Sequence, residues 1–227
     1  MKATWEMSKA WDISPGEIFA MGPIVPVLVI HNIDDALPIA TALLEGGIKV
    51  LEITLRTTSA LAIISKLVQE LPEAVTGAGT VTNVETLKMA RDAGARFLIS
   101  PGLTPRLLYT AHKGSVPLIP GIATISELMA GIDNDFNCFK FFPAGTNGGP
   151  AALKAIAGPF PDITFCPTGG INPDNINAYL QLENVACVGG SWLVTPEIVA
   201  AKNWPEITRR TKEILSTIQQ TPAGILP

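Results

Sequence analysis

Eight short apolar runs, many of them rich in β-branched residues, recur along the chain at residues 25–30, 50–54, 74–78, 97–99, 116–119, 138–142, 163–166 and 185–188. Their starts lie about 20–25 residues apart, the length that one strand, one helix and two short loops need. Helix signals fill the gaps. Residues 34–44 precede Gly46-Gly47, a C-terminal stop. Residues 58–71 end at Pro72, and Asn83 can cap a helix that runs to Asp92 and closes at Gly94. Thr104-Pro105 and Asn172-Pro173 each place a capping residue before a proline suited to the first helical position. Thr124 and Glu127 have capping-box spacing, and residues 205–219 form an amphipathic closing segment.

Eight alternating strand–helix units predict an α/β chain whose parallel sheet closes into a (β/α)8 TIM barrel with an extra N-terminal helix. A doubly wound open sheet is the alternative, but it more often uses fewer strands and a Gly-rich first turn, which is absent here. The expected organisation is one domain over residues 1–227. A helix from residues 5–21 covers the bottom within an N-terminal capping segment (1–21), strands and loops occupy 22–192, and 193–227 form a C-terminal helical segment.

Composition narrows the function classes. The net charge is −4 and the basic residues are scattered, so there is no footprint for nucleic acid or an anionic membrane. The longest apolar run, near residues 22–30, holds two prolines and is too short to span a bilayer. Met1 to Asp12 carries charges and lacks an apolar core segment, which argues against a signal peptide. Cys138, Cys166 and Cys187 are odd in number, widely spaced and set in apolar runs. They read as reduced core thiols of a cytoplasmic protein rather than disulfides or a zinc site. His31 and His112 are too few for a metal centre.

Within this pattern Lys140 stands out, embedded in Phe139-Lys140-Phe141-Phe142. Burying an ammonium costs roughly several kcal/mol unless it is paired, and the cheap escape is loss of the proton. A neutral, desolvated lysine amine attacks carbonyls and forms a Schiff base. Strand parity is informative, because successive side chains alternate faces. Glu52, Thr54 and Arg56 share one parity and Leu51, Ile53 and Leu55 the other, so the polar set should face the barrel axis. Lys140 shares its inward parity with Cys138 and Phe142. Thr80, Thr168 and Ser191 follow the third, seventh and eighth runs, so polar residues gather at the C-terminal rim, where such barrels do chemistry.

Each has a bland reading. Glu52 and Lys140 can be a structural ion pair, and Arg56 a solvated rim residue rather than a clamp for a substrate carboxylate. The glycines after the last two runs can be plain tight turns, although two of them with Thr168 and Ser191 match the place where barrels bind phosphate. The cysteines and Trp192 read as packing, and His31 as a rim residue.

Six segments together resemble one family: Val50-Leu51-Glu52-Ile53-Thr54-Leu55-Arg56-Thr57, Gly77-Ala78-Gly79-Thr80-Val81, Ile99-Ser100-Pro101-Gly102, Phe139-Lys140-Phe141-Phe142-Pro143, Pro167-Thr168-Gly169-Gly170 and Gly189-Gly190-Ser191-Trp192. That family is the 2-keto-3-deoxy-6-phosphogluconate (KDPG) aldolases, which include 4-hydroxy-2-oxoglutarate (KHG) aldolase activity. The resemblance runs from about Gly22 to Trp192. It implies a metal-independent, cofactor-free class I aldolase, usually a homotrimer, acting on a 2-keto-3-deoxy sugar acid phosphate. It implies Lys140 as the Schiff-base lysine and Glu52 as the acid–base residue. Arg56 and Thr80 would hold the pyruvate-end carboxylate, with Pro101 and Phe142 shaping the pocket. Thr168 would contact the substrate hydroxyls, and Gly169, Gly170, Gly190 and Ser191 would take the phosphate. One departure is visible: many members carry an acidic residue after the Phe-Phe-Pro-Ala run, where this chain has Gly145. Left open at this level are a phosphogalactonate aldolase, a sugar-phosphate isomerase or epimerase, and a non-catalytic phosphate-binding barrel.

Overall fold

The computed structural model describes residues 11–218. The strands are β1 (Ile24–Leu28), β2 (Val50–Thr54), β3 (Val75–Gly79), β4 (Leu98–Ile99), β5 (Leu118–Ile119), β6 (Gly121–Ile122), β7 (Cys138–Phe141), β8 (Thr164–Pro167) and β9 (Val188–Gly190). The helices are α1 (Pro15–Ala20), α2 (Ala36–Gly46), α3 (Ala60–Glu70), α4 (Val84–Asp92), α5 (Pro105–His112), α6 (Ile125–Ile132), α7 (Gly149–Ala157), α8 (Ile176–Leu180), α9 (Pro196–Ala200) and α10 (Trp204–Thr217). Every paired strand is parallel, as helical crossovers require.

The alternation of strand and helix matches the sequence, but the expected closed, eight-stranded barrel does not. The sheet is curled and incompletely closed, with ladders ordered β5-β4-β3-β2-β1-β9 and β6-β7-β8. Both joins lie where one segment passes from one neighbour to the next. The fifth apolar run ends at Pro120, and the pairing passes across it: β5 pairs with β4, and β6, just beyond the proline, pairs with β7. Proline has no N–H for a ladder, so continuous pairing stops there, although its carbonyl accepts from Lys140 N at 2.9 Å. At the other join, β8 meets the last run through two isolated bridges, Phe165 to Val185 and Thr168 to Gly189. The strand proper forms later than expected, at β9, where it pairs with β1.

Two apolar layers account for the burial. Between sheet and helices lie Leu51, Ile53, Ala78, Leu98, Phe139, Phe141 and Phe165, packed against residues such as Ile39, Leu43, Ile63 and Leu67. Inside the curl, Val25, Val50, Val75, Phe97, Ile99, Ile119, Cys138, Cys166 and Cys187 form a floor closed by Ile13, Ile18 and Phe19. The parity expected for β2 and β7 is therefore realised, with the apolar set of β2 outward and Cys138 inward.

Local caps set the helix ends. Asn83, Thr104 and Thr124 accept from the backbone N–H groups of Thr86, Leu107 and Glu127, as their spacing predicts. The N-terminal helix is shorter than expected. Ser14 caps it, Glu17 completes a capping box and Pro15 occupies the first turn, so it starts at Pro15; residues 5–10 lie outside the described residues. Asn172 caps a turn rather than a helix. Its Oδ1 accepts from Asp174 N while Asn175 Oδ1 accepts from Asn172 N, and α8 starts only at Ile176.

Phe19 is almost fully buried in the floor. Phe19→Ala is expected to lower stability by about 3–5 kcal/mol in guanidinium unfolding, the usual cost of emptying a filled aromatic site. A loss below about 1 kcal/mol would mean that α1 rests on the sheet without closing it.

Candidate active site

Directly above the apolar floor, two opposed charges cross the interior. The path β2–β1–β9–β8–β7 and the path β2–β3–β4–β5/β6–β7 each take four steps, so β2 and β7 face one another. From these strands Glu52 and Lys140 point inward and meet, Lys140 Nζ donating to Glu52 Oε1 at 3.2 Å. Their side chains are only 2% and 5% exposed. The centroid of the Phe142 ring lies 5.3 Å from the same Nζ, so an aromatic face bounds the amine on one side.

The rim above this pair is polar. Arg56 follows β2, is exposed, and donates from Nε to Thr80 Oγ1 at 3.0 Å. Arg56 has no carboxylate partner among the described residues, and this hydrogen bond occupies Nε alone of its guanidinium nitrogens. Thr80 holds φ at +61°, the left-handed region that a β-branched residue avoids. Thr54 turns its hydroxyl to the Leu28 carbonyl at 2.9 Å, tying β2 to β1 beneath the rim. Pro101 lies on the loop after β4, where its backbone comes so close to Gly121 that a Cβ there would collide with it. Ser100 Oγ accepts from Gly121 N at 3.3 Å and holds the two segments together.

The remaining site residues gather after β8 and β9. Thr168 is buried beside the short bridge to Gly189. Gly169 and Gly170 take φ of +98° and +78°, backbone that only glycine adopts without strain. Gly145 N, on the loop after β7, donates to the Gly169 carbonyl at 2.9 Å. Gly190 ends β9 and Ser191 follows it, exposed. Such a loop, with backbone N–H groups unscreened by side chains, suits an anion. All eleven residues singled out from sequence thus lie on the strands, or on the segments that follow them, at one end of the curl.

Two contributors escaped the sequence reading. Asn175 donates from Nδ2 to the Gly170 carbonyl at 2.9 Å and so braces the glycine loop. Its signal was the Asn172-x-x-Asn175 spacing, which suits a side-chain-closed turn as well as a cap. Ser100 lay inside a quoted motif, but its bond to Gly121 joins segments far apart in sequence. Cys138, Cys166 and Cys187 are buried thiols of the floor. Burial pushes the Cys187 thiol well up, and the Cys166 thiol beside it adds to the shift. His31 sits exposed after β1, as expected of a rim residue. Among the described residues no group of three His, Cys, Asp or Glu side chains is arranged to hold a metal, and no helix is long and apolar enough to cross a membrane.

Thr80→Gly should separate strain from function. A left-handed β-branched residue costs about 1–3 kcal/mol, and the extra chain entropy of glycine offsets part of the relief. Urea unfolding is expected to show a gain of about 1 kcal/mol, while KM rises because Arg56 Nε has lost its acceptor. A drop in stability would show that Thr80 is not held against its preference.

Comparison with known proteins agrees with this geometry. Residues 16–210 match the family model described as KDPG and KHG aldolase. The 2-dehydro-3-deoxy-phosphogluconate aldolase of Pseudoalteromonas atlantica is 53% identical over 210 residues, covering 92% of this chain and 98% of that protein. The KHG/KDPG aldolase of Escherichia coli is 51% identical over 205 residues, covering 90% and 96%. The crystal structure of KDPG aldolase from Legionella pneumophila, with pyruvate captured at low pH as a covalent carbinolamine intermediate, superposes with a TM-score of 0.89 at 50% identity. That match covers 90% of this chain and all of the other. A curled parallel sheet, a buried lysine–carboxylate pair at its mouth and relatives this similar over nearly the full length lead to one assignment: the chain belongs to the KDPG and KHG aldolase family.

Proposed function

We propose that this protein is a class I aldolase that cleaves KDPG to pyruvate and glyceraldehyde 3-phosphate through an imine on Lys140. By the same chemistry it also cleaves KHG to pyruvate and glyoxylate. The observation that carries the reading is the buried contact of 3.2 Å between Lys140 Nζ and Glu52 Oε1. An amine that must attack a ketone, and a carboxyl group that must move protons around it, have to sit at hydrogen-bond distance in a site shielded from water. This pair does.

Within the pair Lys140 passes a proton to Glu52, the amine so freed attacks C2 of the substrate, and the carbinolamine loses water with the proton that Glu52 then holds. The resulting iminium is an electron sink. Glu52 takes the proton of the C4 hydroxyl, the C3–C4 bond breaks, and its electron pair flows to the iminium nitrogen. Glyceraldehyde 3-phosphate leaves, and an enamine of pyruvate remains on Lys140. The protonated Glu52 returns a proton to the terminal carbon of the enamine, and hydrolysis of the new imine releases pyruvate. One base serves successive steps, and the imine supplies the electron sink without calling on a metal or another cofactor.

Binding follows the rim. The free guanidinium nitrogens of Arg56 take the substrate carboxylate, with the Thr80 hydroxyl beside them. Phe142 and Pro101 shape the pocket around the three-carbon end, and Thr168 meets the hydroxyl-bearing carbons. Gly169, Gly170, Gly190 and Ser191 take the phosphate. That grip is remote from the bond that breaks, so its binding energy can be used for orientation. We read the chain as a single catalytic domain, with 11–21 capping one end, 22–192 carrying the sheet and 193–218 closing it, while 1–10 and 219–227 of the expected terminal segments lie outside the described residues. The exposed Met89, Tyr109, Ile125 and Met129 on α4, α5 and α6 offer apolar area for a homotrimer contact. Buried thiols suit a reducing cytoplasm.

Borohydride reduction in the presence of pyruvate is expected to leave a covalent adduct on the peptide that contains Lys140, read by mass. Lys140→Met should remain folded by circular dichroism while losing both adduct and activity. Absence of an adduct on the parent protein would sink the imine. Ser191→Ala is expected to weaken the use of KDPG several-fold, about what one lost hydrogen bond to a charged group costs, and to leave KHG cleavage nearly unchanged. Equal losses on both substrates would remove Ser191 from the phosphate grip.

A further inference from the structure

Glu52 reaches Lys140 over ground that another residue leaves empty. On the inner faces of β2 and β3, Glu52 stands opposite Gly77 and Thr54 opposite Gly79. The Glu52 side chain does not stay above its own partner. It leans towards the rim, and its Cγ, Cδ and Oε1 occupy the space where a side chain on residue 79 would begin. A Cβ at 79 would lie 2.6 Å from Cγ and 2.7 Å from Cδ, closer than real carbon atoms approach.

The backbone does not ask for glycine at this place. The glycines with positive φ are Gly47, Gly94, Gly148, Gly149, Gly169 and Gly170, and Gly79 is not among them. Its φ is one that alanine adopts, and in a strand interior glycine is the less stable choice of the two. What the position requires is an absent side chain, and the group that uses the vacancy is the carboxylate of Glu52. The same arrangement recurs at Gly189, where a Cβ would run into Thr168.

We propose that Gly79 is a positioning residue for the aldolase reaction. It has no side chain to offer substrate or amine, but the gap it leaves sets the Glu52 carboxylate against Lys140 Nζ. With alanine at 79, the carboxylate has to swing off Gly79, and since Glu52 is hemmed in by the floor below, it loses its contact with the amine. The proposal rests on the acid–base role given to Glu52 above.

A double-mutant cycle tests it, with Gly77→Ala as control. Gly77 lies on the same strand and face, but a Cβ there would meet the Phe97 ring of the floor instead of Glu52. Gly79→Ala is expected to lower kcat on KDPG about a hundredfold, the usual size of a lost acid–base contribution, with KM within about twofold. Gly77→Ala is expected to lower the melting temperature and leave kcat within about threefold, because it disturbs packing alone. In the Glu52→Ala background the space at 79 is already vacated. There, Gly79→Ala should change the residual kcat by less than about twofold and should not lower the melting temperature.

Unchanged kcat in Gly79→Ala would overturn the proposal, as would the same loss of kcat or melting temperature in both backgrounds. If Gly79→Ala alone fails to fold, the Glu52→Ala/Gly79→Ala protein decides. Folding as well as Glu52→Ala supports the steric coupling, and failure to fold refutes it. If instead Glu52→Ala keeps full kcat, the acid–base reading itself has failed, and the melting temperatures of the cycle still report whether Gly79 makes room for Glu52.

Discussion

The contact between Lys140 and Glu52 is the constraint around which the rest of the interior is arranged. Two opposite charges are held inside the curl, each on a strand facing the other. Desolvating such a pair costs several kcal/mol per ion by rough reckoning, and mutual attraction offsets that only with good geometry. A protein selected for stability alone would do as well with two apolar side chains there. On the function proposed above, the pair serves chemistry instead: an amine and a carboxyl group at 3.2 Å can act together on a carbonyl compound. The apolar floor of Val25, Val50, Val75, Phe97, Ile99 and Ile119, plugged by Ile18 and Phe19, closes the pair off from below. Substrate and solvent can then approach from the rim alone.

Stability and chemistry are separated along the strand direction. Below the pair, side chains are apolar and interlocked. Above it, the backbone takes on strain and open turns: Thr80 in the left-handed region, and Gly169 and Gly170 with positive φ. These features weaken a fold when taken singly, and they are braced by specific bonds. Arg56 donates to Thr80, Asn175 to the Gly170 carbonyl, and Gly145 to the Gly169 carbonyl. The Gly145 amide does this with its backbone, so the residue type that distinguishes this chain after the Phe-Phe-Pro-Ala run does not disturb the brace. Strain at a rim supported by a rigid floor is the usual bargain at catalytic sites.

Much of this was legible in advance, for identifiable reasons. Strand and helix alternation is a local pattern of apolar periodicity and caps, and Asn83, Thr104 and Thr124 cap where their spacing says they should. Parity along β2 and β7 needs only the two-residue repeat, so the inward direction of Glu52 and Lys140 followed once the strands were recognised. Where reading failed, two local signals competed. The apolar run 116–119 predicts one strand that ends before Pro120, but the segment beyond the proline pairs as well, so that β5 and β6 together fill the place of one strand. Asn172-Pro173 carries a cap signature, but Asn175 takes the Asn172 N–H and turns the segment into a brace for the glycine loop.

The sequence by itself determined the class of fold, the side of the sheet on which each strand residue lies, and the family, because each depends on short-range order or on motifs read in line. Only the tertiary structure decided that Glu52 meets Lys140 across a sequence separation of 88, that the sheet curls without complete closure, and that Gly79 is empty space for a carboxylate. The physical reason is the same in each case. Side-chain reach across a curled sheet depends on strand twist, stagger and the volume of neighbours on other strands. None of these is encoded at the position that it governs.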